Sequence, residues 1–301
     1  MFDYWWFYHN FYNARTLSNS IKYQVERGTS VADQIKMFYF KLITSEIIMN
    51  EELFITGAGV SASSGIPTFR GNDGFWTVGS ENYTPQEMAT RWMYENNPAD
   101  FLLWYFKRFA SYRTVKPNSA HYWLADKKLI TQNIDGLDGR AGNTDYISIH
   151  GRLDKVVYYR NEMDKQSPFD AEWDEIDITS NPTDEVLKEK LLEKFKIRKI
   201  GNTFSPENGI SLKPYVLLFD EIYTDLYRIS EAEQWMKVAS KMIFIGTSFS
   251  VNITSIALRS AISRGIDIDI VDPEPVKLDY ENIEYFKMTA EEYCEMKNLK
   301  S

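Results

Sequence analysis

The chain has 301 residues, of which 44% are apolar and 15% aromatic, and it carries a net charge of −9. That length and apolar share suit one large domain with a smaller insert and exclude disorder as the main state. The acidic balance argues against nucleic acid and favours basic partners such as lysine-rich segments, while a single cysteine, Cys294, excludes a disulfide framework and a thiolate zinc site and fits a reducing cytoplasm.

Residues 1–50 open with MFDYWWFYHNFYN, an aromatic stretch with Asp3, no Lys or Arg before Arg15 and no small-residue cleavage site. It reads as a helical, aromatic extension rather than a secretory leader. No apolar run approaches the roughly 18 residues of a membrane span, so no membrane partner is expected. Apolar runs at 53–56 (LFIT), 128–131 (KLIT), 242–246 (MIFIG) and 266–271 (IDIDIV) predict buried parallel strands, each followed by polar or glycine-bearing residues. Between them ADFLLWYFKRFASY (99–112), ISEAEQWMKVASK (229–241) and SIALRSAISR (255–264) space their apolar residues as helices do, and Gly265 is placed to stop the last. Strands alternating with helices predict an α/β fold, a doubly wound parallel sheet. The charged interval 155–212 breaks the alternation and holds one helical pattern, TDEVLKEKLLEKFK, capped by Thr183. It reads as an insert that joins the helix-rich residues 75–120 in one small lobe. The sheet domain is then 51–74, 121–154 and 213–290, with 291–301 as a terminal tail.

The chemistry-bearing residues follow the strands. GAGVSASSGIPTFRG runs from Gly57 to Gly71 directly after LFIT. Gly57-Ala58-Gly59 would let backbone amides approach an anion, although a bare Gly-x-Gly also makes an ordinary tight turn. TQNIDGLDGRAG (131–142) follows the second strand and sends Gln132, Asn133 and Asp135 toward the same crevice. GTSFSV (246–251) follows the third, and Asp272 ends the fourth, where an acid commonly holds a ribose hydroxyl pair. A lone histidine is ordinarily structural, but His150, in ISIHGRL, adjoins this cluster and is expected to be the one histidine of the three to do so. Strand ends of this kind predict a dinucleotide site.

GAGVSASSGIPTFRG, TQNIDGLDGRAG, IHG, VLLFDE and GTSFSV together resemble the sirtuin family in order and spacing, over residues 50–275 with an interruption at 155–212. The resemblance implies a Rossmann-like NAD-binding domain with a smaller inserted lobe. It implies NAD as cofactor and removal of acyl groups from the lysines of a protein or peptide, with release of nicotinamide and O-acyl-ADP-ribose. It assigns cofactor binding to Gly57, Ala58, Gly59, Ser61, Thr68, Phe69, Arg70, Gln132, Gly246, Thr247, Ser248 and Asp272. Phe69 and Arg70 would belong to a mobile segment near the nicotinamide ribose. His150 would be the base that takes a ribose hydroxyl proton, a task suited to a near-neutral pKa, with Asn133 and Asp135 completing the catalytic set.

The chain departs from that family in two places, and a third detail points the other way. Sirtuins usually carry two Cys-x-x-Cys pairs that hold a structural zinc. None exists here, so a lobe without metal is expected, packed around Leu187, Leu191, Leu192 and Phe195. In VLLFDE, Asp220 stands where the family usually has glycine, in the segment that pairs with the substrate backbone. Phe219 and Asp220 are assigned to the substrate, and the Asp220 charge favours a basic flank beside the acyl-lysine. Tyr105 and Arg108 have the Tyr-x-x-Arg spacing that some sirtuins use for acidic acyl groups, which is also the spacing of one face of any helix. The zinc-free lobe and Asp220 keep a competing reading open, an NAD hydrolase like sirtuin-like bacterial immune effectors, or an ADP-ribosyltransferase. His150 disfavours a non-catalytic NAD-sensing module.

Overall fold

A computed structural model describes residues 51–68, 83–160 and 167–299. The expected extension at 1–50, together with Phe69 and Arg70, lies outside the described residues. In chain order the strands are β1 (Glu52–Thr56), β2 (Lys128–Thr131), β3 (Ile147–Ser148), β4 (Gly151–Tyr158), β5 (Phe169–Asp170), β6 (Arg198–Ile200), β7 (Thr203–Ser205), β8 (Leu212–Val216), β9 (Lys241–Ile245), β10 (Asp267–Val271) and β11 (Ile283–Phe286). The α-helices are α1 (Pro85–Met88), α2 (Arg91–Asn96), α3 (Pro98–Tyr112), α4 (Ser119–Trp123), α5 (Leu137–Arg140), α6 (Asp184–Lys194), α7 (Ile229–Val238), α8 (Asn252–Arg264) and α9 (Ala290–Asn298).

A parallel sheet has the order β11-β10-β9-β1-β2-β3. The chain starts at β1, moves outward to β2 and β3, then returns to β9 on the other side. The order therefore reverses between β1 and β9, and in such sheets the ligand crevice opens there, beyond the strands' carboxyl ends. The apolar runs are continuous because both faces are covered. Leu53 and Ile55 join Met242 and Phe244 in a cluster that also takes Trp235 of α7 and Ala257 and Ala261 of α8. Phe54 points the other way, into a cluster with Leu129, Ile243, Ala120 of α4 and Tyr293 of α9. Each such side chain stabilises the fold by about 1.5–3 kcal/mol on burial. Gly265, at φ 65°, ends α8 as its left-handed cap.

The last segment is more than a tail. Thr289 and Glu292 form a reciprocal capping box that starts α9, and the helix buries Tyr293 and Cys294 against the sheet. Tyr293 donates a 2.8 Å hydrogen bond to the buried carboxylate of Asp269 on β10.

The small lobe combines α1, α2, α3 and α6 with an antiparallel sheet, β5-β4-β8, and a β6-β7 hairpin. Its boundary lies elsewhere than the charge pattern suggests. Gly151–Tyr158 pairs with Leu212–Val216, so these two stretches form the lobe's sheet instead of ending and reopening the large one. The crossing is tight at Gly151, whose φ is +83° and whose added Cβ would fall 1.9 Å from the Tyr215 carbonyl oxygen. Only glycine fits there. Trp173 is fully buried at the lobe's centre, stacked on Phe109 with centroids 5.3 Å apart and tilted against Phe195 at 5.0 Å. Its indole N–H donates to the Leu153 carbonyl at 2.9 Å. Leu187, Leu191, Leu192 and Phe195 are buried in the same cluster, below the Thr183 cap that accepts from the Val186 amide. Among the described residues no group of three or more His, Cys, Asp or Glu is placed to hold a metal.

Candidate active site

The loops after β1 and β9 meet at the switch point. The Gly57 amide donates to the Ile245 carbonyl and the Gly59 amide to the Gly246 carbonyl, both at 3.0 Å. An added Cβ at Gly57 would lie 2.7 Å from the Gly246 carbonyl oxygen, and one at Gly59 would lie 2.6 Å from the Gly246 Cα. These glycines let two backbones touch. Their amides hold one loop to the other, rather than standing open to an anion as the sequence suggested. Ala58 begins a short 3-10 helix, Ala58–Ser64, in which Ser61 is buried. Thr68 is the last described residue of that loop.

The segment after β2 fastens to the same loop. Asn133 donates through its side-chain amide to the Gly57 carbonyl and to the Ser61 hydroxyl, each at 3.1 Å. Ser61 donates in turn to Asp135 at 2.7 Å, and the other Asp135 oxygen accepts from the Leu137 amide at 2.8 Å. Burial raises the Asp135 pKa against those hydrogen bonds. Gln132 donates from its side chain to the Thr56 carbonyl at 3.0 Å and to the Thr247 hydroxyl at 3.1 Å, which links the ends of β1, β2 and β9. Ser248 and Ser250 share a 2.9 Å hydrogen bond on the exposed side of the β9 loop. Asp272, one strand farther out, accepts from the Glu274 amide at 2.9 Å in a local turn.

His150 lies where the chain passes from β3 to β4. Its Nδ1 faces the Gln132 carbonyl and its Nε2 the Tyr223 hydroxyl, both at 3.0 Å. Its own carbonyl accepts from the Leu217 amide at 2.9 Å. The neighbouring Gly151 makes the turn that aims it. Burial lowers the imidazole pKa to about 4, well below the near-neutral value expected of this base.

Residues 57–253 match the Sir2 family. The chain belongs to the Sir2 family. It is 31% identical over 264 residues to NAD-dependent protein deacylase 1 of Caldanaerobacter subterraneus, covering 85% of this chain and 96% of that protein. It is 32% identical over 231 residues to an NAD-dependent protein deacetylase of Sulfurisphaera tokodaii, covering 74% and 80%. Among solved structures, a Sir2 homologue in complex with NAD superposes with a TM-score of 0.60 at 30% identity, covering 85% of this chain and 91% of that one. A mutant Sir2 homologue in complex with 2′-O-acetyl ADP ribose gives 0.61 at 28% identity, covering 84% and 93%.

The donor set of this Sir2 crevice suits a dinucleotide. Amide side chains (Gln132, Asn133), hydroxyls (Thr247, Ser248) and a carboxylate (Asp272) stand at the ends of neighbouring parallel strands. In the same loop the Ser64 hydroxyl is buried with no partner among the described residues.

The residues assigned to the acyl-lysine side sit apart from this set. Phe219 is exposed, and its amide donates to the Ala89 carbonyl at 3.0 Å. Asp220 accepts from the Arg91 amide at 2.7 Å and the Trp92 amide at 3.2 Å, so its carboxylate holds the N-terminus of α2. Tyr105 and Arg108 are buried inside the lobe. The Arg108 guanidinium lies 3.5 Å from the Trp104 ring centroid and donates to the Trp104 carbonyl at 2.8 Å, and burial lowers its pKa to about 10.

Two residues of the site had no place in the sequence reading. One is His121, whose Nε2 lies 3.4 Å from the Ser61 hydroxyl and whose Nδ1 faces the Asn118 side chain at 2.8 Å. Two histidines therefore adjoin the cluster, not one. The signal was present as the Asn-x-x-His spacing of a capping box at the start of α4. Tyr223 is the other, and nothing in its local sequence marks it.

Proposed function

We propose that this crevice removes acyl groups from protein lysine at the expense of NAD, with His150 as the base. The observation that carries the proposal is the setting of His150 at the seam of sheet and lobe. NAD, when bound, supplies the ribose to which the acyl group is passed as nicotinamide leaves. The chain's residues do the rest. A backbone carbonyl only accepts, so Gln132 fixes the His150 proton on Nδ1 and leaves the lone pair on Nε2 to take a proton. The low pKa keeps that nitrogen neutral at physiological pH. Asn133 and Asp135 hold the β1 and β2 loops in one arrangement through Ser61, and Gln132 ties them to Thr247. The acyl-lysine peptide is assigned to the segment around Phe219 and Asp220, whose Leu217, Leu218 and Phe219 amides are bonded within the protein. A basic flank on that peptide suits the net charge of −9 and the exposed Asp220. A cytoplasmic setting completes the proposal, on the low cysteine content.

The test is to incubate the purified protein with NAD, with and without acetyl-lysine or succinyl-lysine peptides, and to identify products by mass. Nicotinamide release should depend on peptide and be matched by O-acyl-ADP-ribose. Rapid formation of free ADP-ribose without peptide, unchanged by adding it, would establish the hydrolase instead. His150→Ala should lower peptide turnover about 100- to 10,000-fold with little change in NAD affinity.

A further inference from the structure

Both ring nitrogens of His150 are engaged. With the proton on Nδ1, the Tyr223 hydroxyl donates to Nε2 at 3.0 Å, so the lone pair that must take a proton is already covered. Tyr223 is held there from several sides. Its ring lies within 21° of parallel to the imidazole, with centroids 6.0 Å apart, and packs on the apolar cluster of the large sheet. The preceding segment is pinned by the Leu217 amide to His150, the Phe219 amide to Ala89 and the Asp220 carboxylate to α2. Swinging the phenol aside would break its hydrogen bond to His150 and its packing on the sheet's apolar cluster. Leaving it in place requires that the proton travel through it.

We propose that Tyr223 relays the proton to His150, its hydroxyl accepting from the ribose hydroxyl as it gives its own proton to Nε2. This rests on the reading of His150 as the base. In the step the ribose O–H bond breaks and a new Tyr223 O–H bond forms, while the original Tyr223 O–H bond breaks and an Nε2–H bond forms. The phenol ends neutral, the imidazole ends positively charged, and the electron pair stays on the ribose oxygen that attacks the acyl carbon. Oη needs two hydrogen bonds for this, one donated to His150 and one accepted from the ribose. Burial pushes the Tyr223 pKa up to about 12, so the hydroxyl carries its proton throughout the physiological range.

Tyr223→Phe, which keeps the stacked ring, tests the relay beside His150→Ala. The expected result is a fall in kcat of at least about 10-fold, toward the loss given by His150→Ala, with the NAD dissociation constant within about twofold of wild type. In the ligand-free protein, imidazole 15N NMR should show the His150 Nε2 resonance moving in Tyr223→Phe while Nδ1 stays in place. Should Tyr223→Phe fold poorly, fluorotyrosine at 223 replaces it, and kcat should change with the acidity of the phenol. Unchanged or faster turnover in Tyr223→Phe, an unmoved Nε2 resonance, or a kcat indifferent to fluorination overturns the relay. If His150→Ala itself keeps near-normal turnover, the base assignment fails first and the relay with it. If His150→Ala loses turnover and Tyr223→Phe keeps it, only the relay fails.

Discussion

In the large sheet, polar side chains gather at strand ends and bind one another. Gln132 joins Thr56 to Thr247, and Asn133 joins Gly57 to Ser61. In the small lobe the centre is mainly apolar and aromatic, with Trp173 between Phe109 and Phe195, and its few polar bonds, such as indole to Leu153 and the Tyr94 hydroxyl to Leu212, end on backbone carbonyls. The first region fixes directions, because a hydrogen bond weakens steeply when its angle is lost. The second fixes volume, because a packed core tolerates neither a void nor an excess atom. His150 and Gly151 lie where the two meet, and the proposed chemistry needs both kinds of constraint.

The comparison breaks most visibly if the lobe can be weakened alone. Trp173→Ala should cost about 3–5 kcal/mol through the cavity it leaves, read as a lower denaturation midpoint. NAD affinity, measured by calorimetry below that midpoint, should stay close to wild type while peptide turnover falls. Equal loss of NAD binding would show that the two regions do not separate.

Gly151→Ala strikes the seam itself. The positive φ and the overlap with the Tyr215 carbonyl together should cost about 3 kcal/mol. Because the same turn aims His150, kcat should fall more than the stability loss explains. A stable and fully active variant would mean that β4 can shift freely against β8.

The polar region has its own signature in pH. His150 and His121 both have pKa values lowered to about 4, each chiefly by burial. A base must be neutral to accept a proton, so a lowered pKa extends activity downward. The acid limb of kcat/KM should lie nearer pH 4 than 6.5. Stability carries the opposite sign: the unfolded chain takes up these protons first, so both histidines withdraw stability as pH falls from 6.5 toward 4. Imidazole NMR titration gives both values directly. A His150 titrating near 6.5 would mean that water reaches the ring.

The same contrast explains what could be read from the sequence. The four strands of the sheet and the loops after them follow from continuous apolar runs and glycine-bearing motifs, which are local signals. Thr183 and Gly265 were legible for the same reason. The lobe's sheet was not, because the pairing of Gly151 with Val216 spans a long insert and depends on a clearance visible only in three dimensions. The glycines at 57 and 59 were found, but their reason was not, since the backbone they must clear belongs to Gly246. His121 carried a local signal that reads equally well as a plain helix cap.

Asp220 gives the smallest and most discriminating effect. Its charge suggested a contact with a basic peptide, yet both oxygens hold amides of α2 more than a hundred residues away in the chain. If that bond is its main work, Asp220→Asn should keep one acceptor and lose about 0.5 kcal/mol, while Asp220→Gly should lose about 1 kcal/mol, as for other helix N-terminal acceptors. Peptide KM should then rise in the order wild type, Asn, Gly, for basic and neutral flanks alike. If the charge itself reads the peptide, Asn and Gly should be equally poor, and only for basic flanks. A two-by-two comparison of KM, variant against flank charge, separates the outcomes, with NAD affinity unchanged in both.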